Sequence, residues 1–237
     1  MSAAERAGRL GIGVVGAGRV GPILALALAG AGHALTGVHA VGAESRERAE
    51  SLLPGVPVLD VPEVVRRSEL VLFAVPGSEL PGLIHGLTET GAWQLGQLVI
   101  HTAPEHGHGV FAPALAAGVI PLALHPAIPF TGTSLDLARL AGSTIAVTGP
   151  APVLPIGQAL AVEMGAEPVV VAEDDRPAYA DALSAAGELS RAVVRQATEA
   201  LRDLGIAHPD RIVGGLVRAA VEEGLRAAAG LAADDGS

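Results

Sequence analysis

Residues 11–22 read GIGVVGAGRVGP. An apolar run, Ile12-Gly13-Val14-Val15, leads into Gly16-Ala17-Gly18-Arg19-Val20-Gly21, and a helical run from Pro22 to Ala29 follows at once. A G-x-G-x-x-G set between a strand and a helix is built to hold a dinucleotide. Gly16 makes the tight turn, Gly18 lets a pyrophosphate approach the backbone, and Gly21 lets the helix pack on the strand. The helix start offers unpaired N–H groups and the positive end of its dipole to the phosphates. Gly16, Ala17, Gly18, Arg19, Val20 and Gly21 are therefore candidate cofactor contacts. Val75 and Pro76, at the end of a later apolar run, are placed to border the same crevice.

Three residues qualify for proton chemistry. His125 ends an apolar run just before a proline, in LALHPAIPFTGT, and an imidazole can protonate an alkoxide or an amine near neutral pH. His101 has a similar placement, and Thr102 beside it is an alternative polar group. A metal reading would gather His101, His106, His108 and His125. However, His106 and His108 are only two residues apart in a glycine-rich loop, and no acidic ligand is clearly placed, so no metal is expected.

The second apolar run, Ala34 to Ala40, ends in His39-Ala40-Val41-Gly42 and carries no carboxylate at its tip to accept from a ribose. Ser45 and Arg46 follow, then Arg48. A hydroxyl and a guanidinium suit a 2′-phosphate, which favours NADP over NAD. Glu44, in the same loop, would repel that phosphate if it faced inward.

The chain has 237 residues and a net charge of −10, which speaks against general attraction to nucleic acid or to an anionic membrane. It contains no cysteine, so disulfides, thiolate nucleophiles and cysteine metal ligands are excluded. All 15 basic residues are arginine, so a lysine base or Schiff base is also excluded. The N-terminal sequence has no apolar signal core, and the longest apolar stretch is too short to span a bilayer, so a cytoplasmic protein is expected.

These residues need a scaffold. Strands are expected at 11–15, 34–40, 70–75, 98–101, 119–124 and 144–147, with a brief one at 56–59. Helices are expected at 20–30, 45–53 and 62–68. Continuous apolar strands alternating with helices imply a parallel sheet covered on both faces. From Arg176 to Ile206 the apolar positions keep helical spacing, and Asp210 to Ala229 resumes it. Asp181, Glu188 and Arg195 lie seven apart, near one stripe, either closing a pocket or forming a charged face. The acidic turn Glu173-Asp174-Asp175 sets the expected boundary between residues 1–172 and a helical domain, 173–237. Helices this long need a partner, and a homodimer through them is expected.

Taken together, these segments resemble the Rossmann-like proteins with a C-terminal DUF2520 domain, relatives of the 6-phosphogluconate dehydrogenase-like reductases. The resemblance rests on Gly16-Ala17-Gly18-Arg19-Val20-Gly21, Ala74-Val75-Pro76, Gln97 to Thr102, Ala123-Leu124-His125-Pro126, and Phe130-Thr131-Gly132-Thr133 with Asp136, Arg139 and Leu140. It implies an α/β fold: a Rossmann-type, doubly wound, mainly parallel sheet followed by a small all-helical domain. It also implies a nicotinamide-type oxidoreductase, often dimeric. The catalytic lysine of several such relatives has no counterpart here. The family's Ser-Gly after His-Thr is Ala103-Pro104. Its Tyr-His after Arg-Pro reads Tyr179-Ala180, and its helix asparagine is absent. The leading expectation is an NADP-dependent enzyme moving a hydride to or from a small carbonyl or imine. The alternatives are a nucleotide-binding sensor without turnover and a deazaflavin-linked reductase.

Overall fold

The computed structural model describes residues 9–234. Seven strands form one sheet: β1 (Gly11–Val15), β2 (Ala34–His39), β3 (Leu70–Phe73), β4 (Leu98–His101), β5 (Ile120–Pro126), β6 (Thr144–Thr148) and β7 (Glu167–Val170). Their spatial order is β2-β1-β3-β4-β5-β6-β7. The expected third strand at 56–59 is reduced to a single bridge, Val58 to Val38, on the outer edge of β2.

Period-2 alternation divides the apolar strands between two layers. Leu70, Leu72, Leu98, Ile100, Leu122 and Leu124 face one core, shared with Leu24 and Leu28 of α1 (Gly21–Gly30) and Leu160 of α6 (Leu154–Glu163). Val71, Phe73 and Val99 face the other. That core also takes Val64 of α3 (Val61–Arg66), Ile84 of α4 (Leu80–Glu89) and Phe111 of a 3-10 segment, His108–Ala117. Covering on both faces is why these strands carry no polar alternation.

β6 departs from the expected parallel arrangement: it runs antiparallel to β5, pairing Leu124 with Val147 and His125 with Ala146. The connection from β5 runs through the short helix α5 (Leu135–Leu140), and the chain returns antiparallel alongside β5. β7, which the apolar pattern did not announce, closes the edge, and Pro168 is tolerated there because an edge strand needs fewer ladder donors.

The remaining helices are α2 (Ala43–Leu52), α7 (Arg176–Asp203) and α8 (Pro209–Asp234). The chain forms two compact units, one through Ala180 and one from Asp181. The first unit thus runs past the expected boundary at 172. The start of α7 belongs with the sheet because the Arg176 side chain is fully buried, hydrogen-bonded to the carbonyls of Ala123 and Ala146. In the second unit, Gly205 turns the chain at φ +83°, and Leu189, Val193, Leu204, Leu216 and Leu225 are exposed. Asp181, Glu188 and Arg195 are also exposed, and Glu188 accepts a hydrogen bond from Ser184. No described helix is long and apolar enough to cross a membrane.

Candidate functional site: a crevice at the strand ends

β1 lies between β2 and β3, and the chain leaves it first to one side and then to the other. Such a switch point opens a crevice beyond the strand ends, and the glycine loop sits in it. The three motif glycines have different reasons to be glycine. A methyl group on Gly16, whose φ is +109°, would lie 2.4 Å from the Ala74 carbonyl oxygen. One on Gly21 would lie 2.2 Å from the Gly16 carbonyl oxygen. Those two positions are closed by the protein itself. At Gly18 nothing lies within 4 Å of where a Cβ would stand.

The loop's N–H groups divide in the same way. Gly16 and Ala17 both donate to the His39 carbonyl oxygen, at 3.2 and 3.1 Å. Gly18, Arg19, Val20 and Gly21 have no acceptor for their N–H groups among the described residues. Ala17 turns its side chain into the core, while its carbonyl accepts from Arg48 at 3.2 Å. Val75 flanks Gly16, and Pro76 is exposed at the rim.

The residues expected to select the nucleotide are arranged unequally. Arg46 lines a cavity of about 470 Å³ at the tip of β2, with His39, Ala40, Glu50, Val58, Leu59 and Asp60. It makes no ion pair among the described residues, whereas Arg48 is paired with Glu44 at 2.6 Å. The Ser45 hydroxyl is engaged locally, donating to the Gly42 carbonyl at 2.8 Å.

The proposed proton donors also separate. His101 is fully buried. Its Nε2 pairs with the Gly107 carbonyl oxygen at 2.9 Å, and its Nδ1 accepts from the Ala103 N–H at 3.2 Å. Burial drives its pKa down to about 3. Both ring nitrogens of His101 are thus engaged by backbone groups of the 101–107 loop. Thr102, nearly buried, shows its side chain to a second cavity of about 290 Å³, lined also by Arg19, Val20, His125, Pro126, Ile128 and Phe130.

His125 reaches that cavity because β5 is longer than β4. His101 pairs in register with Ala123, so His125 lies two residues further toward the crevice, about 6.6 Å at strand rise. Its Nδ1 is 2.9 Å from the hydroxyl of Tyr179, the one tyrosine in the sequence. Burial and then the Arg176 charge lower its pKa to about 4, so it is neutral at neutral pH. Burial raises the pKa of Tyr179, with Arg176 opposing, so its hydroxyl keeps its proton.

Arg176 stands behind this pair, its guanidinium 5.7 Å from the Tyr179 ring centre. It donates to Thr148 Oγ1 at 2.7 Å and to two backbone carbonyls, and its Nη1 has no hydrogen-bond partner. The sequence places Arg176 and Tyr179 at the start of a long helical run and does not show that either meets His125. The only available signal was that a lone tyrosine followed an Arg-Pro at a helix start.

The loop 130–133 is held by Asp136, a buried carboxylate that accepts from the N–H groups of Thr131 and Gly132 and from the Thr131 hydroxyl. This puts Gly132 against Arg19 and Arg48. His106 pairs with the Gly77 carbonyl, and His108 lies against Glu173. Among the described residues, no group of three or more His, Asp or Glu side chains is placed to hold a metal ion.

The family model of the Rossmann-like domain matches residues 1–126, more than half of the chain. The chain belongs to the Rossmann-like family. Behind that segment, the model of DUF2520, a domain of unknown function, matches residues 143–232. No curated protein matches this Rossmann-like chain. Solved structures share its fold. A putative NADP oxidoreductase from Bacteroides fragilis is 17% identical with a TM-score of 0.72, over 90% of this chain and 80% of that one. An imine reductase from Pseudomonas sp. is 15% identical with a TM-score of 0.70, over 93% and 76%. A 1-pyrroline-5-carboxylate reductase from Streptococcus pyogenes is 19% identical with a TM-score of 0.64, over 91% and 79%.

Proposed function

We propose that this chain is a nicotinamide-dinucleotide oxidoreductase that prefers NADP and acts on a small carbonyl or imine. The observation that carries this reading is Gly18. The protein itself does not require glycine there, since a Cβ would meet open space. A ligand passing over the backbone does require it. The unpaired N–H groups from Gly18 to Gly21 present four donors to an anion at the start of α1, which fits a diphosphate. The fold neighbours, a putative NADP oxidoreductase, a 1-pyrroline-5-carboxylate reductase and an imine reductase, support it.

The cavity at the β2 tip would take the adenosine ribose, with Arg46 as the free cation for a 2′-phosphate. The cavity at His125 would take the nicotinamide edge and the substrate. A bound reduced nicotinamide supplies a hydride, two electrons with one hydrogen, to the substrate's electrophilic carbon. The chain's own work is the proton. In this reading Tyr179 O–H donates to His125 Nδ1, which leaves the hydrogen on Nε2 for the substrate. As charge builds on the substrate heteroatom, Nε2 gives up this proton, Nδ1 takes one from Tyr179, and solvent restores the tyrosine. Arg176 lies close enough to stabilise the transient phenolate.

We also propose that two copies associate through α7 and α8, whose exposed leucines and valines need a cover. The direct test of the function is NADPH titration followed by nicotinamide fluorescence, with Gly18→Val as the control. Tight binding by the parent and none by the variant supports the reading. Equal binding by both overturns it.

A further inference from the structure

The cavity at His125 has a one-sided charge balance. None of its seven lining residues is acidic, and one, Arg19, is a cation with no ion pair among the described residues. Behind it lies Arg176, fully buried and hydrogen-bonded only to neutral oxygens, with Nη1 left without a partner. The acidic group that acts on Arg176 is Glu173, and its carboxylate already accepts from the N–H groups of His108 and Gly109, at 2.9 and 2.8 Å. Asp136 is likewise occupied, by Thr131, Gly132 and Arg139. Arg176 is the charge that acts on His125, so the field there is positive.

We infer that this cavity takes a neutral or anionic carbonyl compound, whose oxygen gains negative charge, and rejects a preformed iminium cation. The inference deepens the proposed oxidoreductase reading and rests on it. The two reductions make opposite electrostatic demands. An iminium arrives positive and becomes neutral, so a positive pocket opposes its entry and gains nothing as charge disappears. A carbonyl arrives neutral. When the hydride adds at carbon with its electron pair, the C=O π pair moves to oxygen, and the alkoxide takes its proton from His125 Nε2. The product is an alcohol, and the nicotinamide is left oxidised. Positive charge from Arg176 and donors at His125 and Thr102 favour that transition state over the ground state. The causes that keep a proton off His125, burial and Arg176, act equally on a ligand cation beside it. Arg19 at the rim would hold a carboxylate on the same substrate.

The test uses three planar probes of nearly one shape: benzoate, benzamide and benzamidinium. Their binding to the full chain is followed by calorimetry and by NMR of the His125 ring, with no turnover needed. Benzamidinium is expected to bind at least about tenfold more weakly than benzamide, since like charges in contact are strongly disfavoured. Benzoate is expected to bind best, and Arg19→Gln to remove its advantage over benzamide. Benzamidinium binding as well as benzamide, with the His125 signals shifted, overturns the inference, as does a failure of all three probes to move those signals. A chain that ranks the probes as expected but binds no NADPH overturns the cofactor reading alone.

Discussion

The Tyr179 hydroxyl sits 2.9 Å from His125 Nδ1, although 54 residues separate them. Arg176 fixes that meeting. Its buried guanidinium ties the start of α7 to the carbonyls of β5 and β6, and Tyr179 follows one turn later, over His125. Replacing His125 by Asn should lower turnover about 10²–10⁴-fold and spare NADPH binding. Tyr179→Phe should lower kcat about tenfold, one hydrogen bond's worth, with KM unchanged. Nitrogen-15 NMR should show hydrogen on Nε2 of His125 in the parent. If Tyr179→Phe left both the kinetics and that tautomer unaltered, the relay would be ruled out.

The two outer glycines and the middle one should behave oppositely. Gly18→Val should fold with an unchanged melting temperature and lose nucleotide binding. Gly21→Ala should be destabilised, because its methyl group would lie 2.2 Å from the Gly16 carbonyl oxygen. Thermal melts with and without NADPH separate the two effects.

Cofactor preference should depend on Arg46 more than on Arg48, whose guanidinium is already shared between Glu44 and the Ala17 carbonyl. Arg46→Ala should weaken NADPH about ten- to hundredfold, the range for a charge-assisted contact, and leave NADH unaffected. An equal loss for both nucleotides would place the 2′-phosphate elsewhere.

Stability should fall on mild acidification. The pKa of His101 drops from 6.5 to about 3 on folding because burial disfavours its charged form. Between those values the unfolded chain binds a proton that the folded chain does not, so stability rises with pH across that window and levels off above 6.5. The slope from this one group is about 1.4 kcal/mol per pH unit. His125, lowered to about 4, adds to it in the same direction. Denaturant midpoints measured from pH 7 to pH 5 should decrease, and a midpoint that stays constant would mean His101 is charged in the fold.

Light scattering at micromolar concentration should give twice the monomer mass. Leu189→Glu and Leu216→Glu, both at exposed helix positions, should shift it toward monomer without loss of helicity. A monomeric parent would leave those apolar positions without the cover proposed for them.

The nucleotide half of the fold could be read in the sequence because its signals are local. A strand, a glycine turn and a helix follow one another within residues 11–30, and continuous apolar runs locate β1, β3, β4 and β5 without reference to one another. Exclusions by residue type, no thiol and no amine side chain, needed only counting. The choice between His101 and His125 could not be read this way. Each ends an apolar run, and each is followed by a residue suited to a loop. Interstrand register separates their positions: Ala123 stands opposite His101, so β5 carries His125 beyond the end of β4 while His101 stays beneath the 101–107 loop. Register is a property of paired strands and leaves no mark on either strand alone. The partnership of Arg176 and Tyr179 with His125 was hidden for the same reason. A buried cation on an otherwise polar helix start looks like any surface arginine until tertiary packing closes the sheet around it.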